Sequence, residues 1–421
     1  VRPEDGPERA VLVGLAGRDD DGTLQELARL AETAGAVVAD VVVQRRTRPD
    51  PATWVGAGKV DEIRARVQTA GASLAVFDQE LSPAQQRNLE RALETKVLDR
   101  TALVLDIFAQ RARTHEGRLQ VELAQMTYLL PRLAGRGVLL SRLGGGIGTR
   151  GPGETKLEVD RRRIRARITT LREEIGALGR HRHQQRQSRR DAALPVAALV
   201  GYTNAGKSTL LNTLTRADVY TADKLFATLD PTTRRVTLPD RRPALLVDTV
   251  GFIRKLPHDL VAAFRATLEE VTEADLLVHV IDASHPRWMD QRAAVEQVLR
   301  DLGAADRPIV LALNKADRLT SEALRDVAAE VPDGIPVSAM RGVGIRNLLQ
   351  AIARHLPDPV RRVRLFVPHA ESGALADVYG RGRVVKREDR ADGVALEAEV
   401  PAATVDRVRR YLVESEAPER G

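Results

Sequence analysis

The octapeptide GYTNAGKS, residues 201–208, constrains this chain more than any other segment. It fits GxxxxGK[ST], follows the apolar run PVAALV and opens the amphipathic run STLLNTLTR. A strand that turns through glycines into a helix start is a phosphate cradle, because loop N–H groups and the helix's positive end face one anion. Gly201 and Gly206 allow a backbone path that a Cβ would obstruct. Tyr202, Thr203, Asn204 and Ala205 complete the loop, and Thr209 follows it into the helix. Lys207 is placed to reach β- and γ-phosphates, and the Ser208 hydroxyl to ligate Mg²⁺.

The base is read from NKAD, which follows the apolar run PIVLAL about 110 residues later. The Asp317 carboxylate can accept from both the N1–H and the amino group of guanine. Adenine lacks that donor pair, so the carboxylate would be left buried and unpaired. Asn314 would bond the base edge or the phosphate loop, the Lys315 stem would lie over the ring, and Ala316 completes the motif. PVSAM, with Ser338, Ala339 and Met340, resembles a short loop whose backbone meets guanine O6 through Ala339. DTVGF follows ALLV. Asp248 at a strand end can hold a Mg²⁺-bound water, Thr249 and Val250 continue the segment, and the Gly251 N–H can bond the γ-phosphate. Between these motifs lies YTADKLFATLDPTTRR, where Thr228, Thr232 and Thr233 are each able to ligate Mg²⁺.

The rest of the chain divides around this unit. Residues 10–110 alternate β-branched runs (AVLVGLAG, VVADVVVQ, SLAVFDQ) with amphipathic stretches, the pattern of a parallel-sheet α/β domain. Leu119, Leu123, Met126, Leu130 and Leu133 form a narrow 4,3,4,3 seam, and Ile164, Ile168, Leu171, Ile175 and Leu178 form another. Two such seams in sequence predict an antiparallel helical hairpin. The segment between them carries eight Gly in 134–154 with Arg136, Arg142 and Arg150, which favours an anion-contacting loop. Residues 181–192 have no apolar seam and read as a helix end or linker. After Pro357 and Pro359 the order is strand, helix, strand hairpin, helix. The predicted units are 1–115, 116–192, 193–357 and 358–421. GAGK, ending at Lys59, lacks the leading Gly, the Ser/Thr and the strand entry of a second phosphate loop; a turn before a helix is the better reading, an ATP site the lesser one.

Together with LFATLD, DTVGF and GGGIGTRGPGETKLE (144–158), these spacings resemble the HflX family of translation-factor-related GTPases. The resemblance covers most of the chain. It implies an α/β fold: a P-loop GTPase domain preceded by a small α/β domain with an antiparallel helical hairpin, and followed by a small α+β domain. It makes Thr228 the Mg²⁺-sensing threonine and sets Phe226, Ala227, Leu229 and Asp230 along the nucleotide with it. It implies GTP hydrolysis to GDP with Mg²⁺, and binding to the large ribosomal subunit with separation of stalled or idle ribosomes. Ras-like GTPases place a water-orienting Gln after the Gly of DxxG. Here that position is Phe252, so hydrolysis should be slow alone and rise with a partner. Asn204 supports two readings: a side-chain ligand for K⁺ beside the phosphates, or a residue suited to loop geometry.

Composition sharpens the partner. The formal charge of +7 is concentrated, since residues 161–190 hold eleven Arg and two Glu. Unbalanced Arg repels itself unless a polyanion is present. Without Phe, Tyr or Trp in that stretch, base stacking is not expected, whereas phosphate contacts from Arg161, Arg162, Arg163, Arg165 and Arg167 to structured RNA are. Structured RNA as the partner class agrees with what the resemblance implies, the large ribosomal subunit and its RNA, and the protein is expected to be a cytoplasmic monomer. The competing class is a nucleotide-gated RNA-binding assembly factor without splitting activity. A membrane-remodelling GTPase ranks last, because the hairpin seam is too narrow for an interfacial helix. With no cysteine, a disulfide framework and a thiolate zinc site are excluded.

Overall fold

The computed structural model describes residues 6–16, 22–46, 48–133, 156–191, 194–215, 225–254, 265–357 and 360–413. Strands β1 (Arg9–Ala16), β2 (Val37–Arg45), β3 (Leu74–Phe77) and β4 (Lys96–Asp99) form a parallel sheet in the order β2-β1-β3-β4. Helices α1 (Thr23–Ala34), α2 (Ala57–Thr69), α3 (Pro83–Leu93) and α4 (Arg100–Arg111) follow the strands in turn. Local chemistry sets their starts. Ser82 and Gln85 form a capping box before Pro83, and the Asp99 carboxylate accepts from the Ala102 N–H. The sequence reading gives three strands here. The fourth, KVLD, is too short to show a period, and α4 is apolar on too many sides to show a seam. The GAGK segment enters α2 at Ala57, and Lys59 pairs with Glu62 one turn on at 2.6 Å.

Helices α5 (His115–Arg132) and α6 (Lys156–Asp191) pack as the hairpin. Leu119 and Ala124 of α5, and Ile168 and Leu171 of α6, are buried. α6 runs 36 residues, through the stretch read as a helix end or linker. That stretch lacks an apolar seam but is made of Arg, Gln and His with no Gly or Pro, so nothing local ends the helix. Arg136, Arg142 and Arg150 lie outside the described residues. Arg161, Arg162, Arg163 and Arg165 lie on α6, and the Arg163 side chain is 77% exposed. Arg167 departs from the expected RNA-facing role. Its guanidinium donates twice to the Glu122 carboxylate across the hairpin, at 2.7 and 2.9 Å. Bidentate pairing of this kind ties the group to the partner helix, with its side chain still 40% exposed.

Strands β5 (Val196–Gly201), β6 (Thr232–Thr237), β7 (Pro243–Asp248), β8 (Leu276–Asp282), β9 (Ile309–Asn314) and β10 (Ile335–Pro336) form the second sheet, ordered β10-β9-β8-β5-β7-β6. All its pairs are parallel except β6 with β7. α7 (Lys207–Thr215), α8 (Arg265–Glu273), α9 (Trp288–Asp301), α10 (Ser321–Glu330) and α11 (Ile345–His355) accompany it. The carboxyl ends of β5, β7, β8 and β9 bring Gly201, Asp248, Asp282 and Asn314 to one rim, where open α/β sheets bind ligands. The tail follows the expected order: β11 (Val360–Pro368), α12 (Ser372–Arg381), β12 (Arg383–Asp389), β13 (Gly393–Pro401) and α13 (Ala402–Val408), with an antiparallel sheet β11-β13-β12.

The first and second sheets share one apolar cluster. Leu27, Leu30, Val104 and Phe108 pack into it with Val200, Phe226, Phe252 and Val271. The Phe108 and Phe226 rings meet edge to face, 4.7 Å between centroids. Removing water from a continuous cluster stabilises by about 25 cal/mol per Å² of apolar surface, so separating the two units would expose part of a core. Among the described residues, no helix is long and apolar enough to cross a membrane.

Candidate active site

The phosphate loop is strained where the sequence supplies residues to allow it. Gly206 has φ +94° and Asn204 φ +61°, the left-handed region that Gly and Asn tolerate best. Loop geometry thus accounts for Asn at 204 by itself. The Lys207 ammonium is buried and donates to the carbonyls of Gly201 (3.2 Å) and Tyr202 (3.1 Å). Burial lowers its pKa to about 8, and the Asp248 carboxylate opposes the shift. Thr203 Oγ1 accepts from the Phe226 N–H at 3.0 Å, and the Thr203 N–H donates to the Phe252 carbonyl at 2.7 Å. The space around Gly251 is closed: an added Cβ would lie 2.7 Å from Thr203 Cα and 3.0 Å from Lys207 Nζ. Gly251 therefore brings its backbone beside the ammonium in a way no other residue allows.

Ser208, Thr228 and Asp248 converge. Ser208 Oγ lies 2.8 Å from Thr228 Oγ1, and both hydroxyls donate to Asp248 Oδ2, at 2.6 and 2.9 Å. Of the three candidate threonines, Thr228 is the one gathered here; Thr232 and Thr233 lie on β6. Burial pushes the Asp248 carboxyl upward, against Lys207 and the two hydroxyls. Asp248 Oδ1 is buried without a hydrogen-bond partner. An all-oxygen donor set with an orphaned carboxylate oxygen fits Mg²⁺, which takes one or two carboxylates and completes its shell with water and phosphate.

At the base end, Asn314 is fully engaged. Its Nδ2 donates to the Ala205 carbonyl (2.8 Å), and its Oδ1 accepts from the Ala339 N–H (3.0 Å). Of the two roles read for Asn314, the bond to the phosphate loop is formed. The Ala339 N–H expected at guanine O6 donates to Asn314 Oδ1. Lys315 Nζ donates to the Asn204 carbonyl (2.9 Å) and to Asp282 Oδ2 (2.7 Å), which stretches its stem along the loop. The Asp317 carboxyl is held below its ordinary value, chiefly by a hydrogen bond from the Ser338 hydroxyl, with the charge of Arg341 adding to it. Ser338 is buried, whereas Met340 is 79% exposed.

The remaining predicted residues separate by where they point. Thr203, Asn204, Gly206, Lys207, Ser208, Thr209, Ala227, Thr228 and Gly251 line the phosphate cleft. The side chains of Tyr202, Ala205, Leu229 and Val250 are buried, Thr249 Oγ1 donates to the Leu199 carbonyl at 2.7 Å, and Phe226 both lines the cleft and packs in the shared core. Asp230 faces away from the nucleotide cleft. Its carboxylate accepts from the N–H groups of Arg113 (2.8 Å) and Thr114 (3.0 Å) and from Thr114 Oγ1 (2.5 Å), at the start of α5. The segment that carries Thr228 is thereby tied to the base of the hairpin. Asp230→Ala should cost about 1–2 kcal/mol and speed hydrogen exchange in the first turn of α5, with GDP affinity unchanged. A loss of GDP affinity beyond about ten-fold would put Asp230 back at the nucleotide.

Three contributors are not legible in the sequence. Glu26 of α1 accepts a hydrogen bond from the Tyr202 hydroxyl and pairs with Arg100, which also pairs with Asp78 at 2.8 Å. These partners lie up to 176 residues apart and no motif joins them. Asp282 was open to detection, as an acidic residue ending the apolar run LLVHVID, the same signal that marks Asp248.

A strand-ending phosphate loop, a Mg²⁺-competent hydroxyl–carboxylate cluster and an Asn–Lys–Asp base end on one sheet rim define a P-loop GTPase. Comparison with known proteins agrees. Family profiles match along the chain, described as GTP-binding GTPase N-terminal (21–109), GTP-binding GTPase Middle Region (111–189), 50S ribosome-binding GTPase (196–315) and HflX C-terminal domain (323–420). GTPase HflX of Caldanaerobacter subterraneus subsp. tengcongensis is 49% identical over 96% of this chain and 94% of its own length. GTPase HflX of Escherichia coli K12 is 47% identical over 94% of each. The chain belongs to the HflX family of GTPases and hydrolyses GTP.

Proposed function

We propose that this GTPase docks on the large ribosomal subunit in the cytoplasm, as a monomer, and separates the subunits of stalled or idle ribosomes. One observation carries the reading beyond nucleotide chemistry: an Arg-rich helix, α6, stands in a hairpin whose base is bonded to the Thr228 segment through Asp230 and Thr114. The 50S-binding description of the matched GTPase profile supports the same partner. Units at 1–115, 116–192, 193–357 and 358–421 would act as docking body, RNA-facing hairpin, GTPase and tail.

In the loaded site Lys207 and the loop N–H groups would hold the β- and γ-phosphates, and Gly201, Gly206 and Gly251 give the backbone its close approach. Ser208, Thr228 and Asp248 would hold Mg²⁺, which supplies charge neutralisation between β- and γ-oxygens. Asp317, Ser338 and Ala339 would select guanine while Lys315 covers it. Phe252 is fully buried in the shared core and has no group with which to orient water. Slow turnover alone and stimulation by the ribosome follow from that.

The decisive measurement is GTP turnover against added large subunit, with wild type beside Arg161→Glu/Arg162→Glu/Arg163→Glu. Wild type should be stimulated. The variant should lose most of the stimulation, at least about ten-fold at moderate salt because three phosphate contacts are reversed in sign, with GDP affinity intact. Absence of stimulation in wild type would overturn the ribosome reading. Light scattering of intact ribosomes separates the two roles, since binding without dissociation would mark an assembly factor.

A further inference from the structure

The reaction places charge on the oxygen that bridges the β- and γ-phosphates, and cations beside it accelerate such transfers strongly when supplied as an arginine. Lys207 and the Ser208–Thr228–Asp248 cluster cover part of the phosphates. The flank formed by Asn204 and Leu225 is a different matter. Two clefts open there between the phosphate loop and α1. One is lined by Arg29, Thr33, Asn204, Leu225 and Lys315, the other by Glu26, Arg29, Tyr202, Thr203 and Asn204. Arg29 lines both.

Its placement follows from the helix. Glu26 and Arg29 are three residues apart, so they share one face of α1. Glu26 is fixed to the phosphate loop by the Tyr202 hydroxyl and to its own domain by Arg100. The next position on that face is thereby delivered to Asn204. Two of the other cations nearby are committed, and Arg287, whose Nη1 is buried without a hydrogen-bond partner, lines only the second cleft. Lys315 is paired with Asp282 at 2.7 Å and Arg254 with Asp290 at 3.1 Å. Arg318 lines only the cleft toward the base end. Arg29 is exposed and, among the described residues, its guanidinium has no carboxylate partner. A long cationic side chain held at its root and unpaired at its tip, beside a phosphate loop, is suited to an incoming polyphosphate.

We infer that Arg29 is a catalytic arginine supplied within the chain: its guanidinium passes Asn204 and Leu225 and contacts the phosphate oxygens of bound GTP. Water attacks the γ-phosphorus, the bond to the β–γ bridging oxygen breaks, and its electron pair stays on the β-phosphate of GDP. The water proton ends on phosphate. Arg29 transfers no proton and neutralises the charge that develops on the bridging and γ-oxygens.

The test is single-turnover GTP hydrolysis by the full chain without ribosomes, in K⁺ and in Na⁺, for wild type, Arg29→Ala and Arg29→Lys. Arg29→Ala should slow hydrolysis at least about 30-fold, with GDP affinity within about two-fold of wild type. Arg29→Lys should recover only part of the rate, because a point charge does not reproduce the guanidinium fork. Binding of GDP with aluminium fluoride should weaken in Arg29→Ala while GDP alone does not, and added guanidinium ion should restore part of the lost rate. A merely structural arginine would move neither reading. An Arg29→Ala rate within about two-fold of wild type overturns the assignment, and does so most sharply if turnover then depends on K⁺, since Asn204 would hold the compensating cation. Equal loss of GDP affinity and rate also overturns it. None of these outcomes bears on whether ribosomes stimulate the wild-type enzyme.

Discussion

Asp317→Asn should convert the guanine site into a xanthine site. Guanine presents two donors, N1–H and the C2 amino group, to the Asp317 carboxylate. Xanthine keeps N1–H but carries a carbonyl at C2. An asparagine can accept from the first through Oδ1 and donate to the second through Nδ2. GTP affinity should fall by roughly 10³-fold or more, since the amide N–H₂ then opposes the guanine amino group in a desolvated site, while XTP affinity should rise by a comparable factor. The surroundings favour a clean exchange. The Asp317 side chain is 16% exposed, the Ser338 hydroxyl beside it can accept as well as donate, and Asn314 anchors the neighbouring loops without using Asp317. Titration calorimetry with GDP and XDP reads both arms. A variant that still prefers GDP would refute Asp317 as the base reader.

What the sequence made legible here, and what it did not, divides along contact range. GYTNAGKS, DTVGF and NKAD each place a reactive side chain at a strand end, and strand ends come together because parallel strands align their carboxyl termini on one rim. Local reading therefore reached Lys207, Ser208, Asp248 and Asn314. It failed at orientation. Thr249, Leu229 and Val250 sit inside motifs, yet their side chains are buried, and the Thr249 hydroxyl bonds the Leu199 carbonyl, contacts made by loop residues just outside the strands that no local pattern announces. Asp230 is two residues from Thr228 and serves α5 instead of the nucleotide. The union of the first two sheets through Phe108, Phe226 and Phe252 was equally hidden. An apolar side chain declares that it will be buried, not against what. Phe252 shows the consequence: the substitution that removes a water-orienting group also fills the joint between the two units.

That joint bears on regulation. Phe226 stands two residues before Thr228, and its N–H is bonded to Thr203 of the phosphate loop, while its ring meets Phe108 of α4. Asp230 closes the segment on Thr114. Thr228 thus lies between two tethers to the N-terminal half. A shift of Thr228 toward a bound metal and γ-phosphate must strain or carry the base of the hairpin, which is a physical route from nucleotide state to an Arg-rich surface.

Lys207 should make nucleotide binding pH-dependent in a predictable sense. Burial lowers its pKa to about 8 from 10.5. Between those values the unfolded chain holds the proton and the folded one does not, so the empty protein gains stability as pH rises through the window. Nucleotide acts oppositely, because phosphates stabilise the ammonium and restore its proton. Below pH 8 the proton is already present and affinity should be flat. Above pH 8 each binding event must take up a proton, and the GDP dissociation constant should rise toward ten-fold per pH unit. Calorimetry at pH 7, 8 and 9, in buffers of different ionisation enthalpy, would show proton uptake appearing only above pH 8. Lys207→Ala should weaken GTP by about 3 kcal/mol or more, beyond 100-fold, since it leaves phosphate charge buried without its counter-ion, and should abolish the pH slope. A slope that survives in the variant would assign the proton to another group and remove Lys207 from the centre of phosphate recognition.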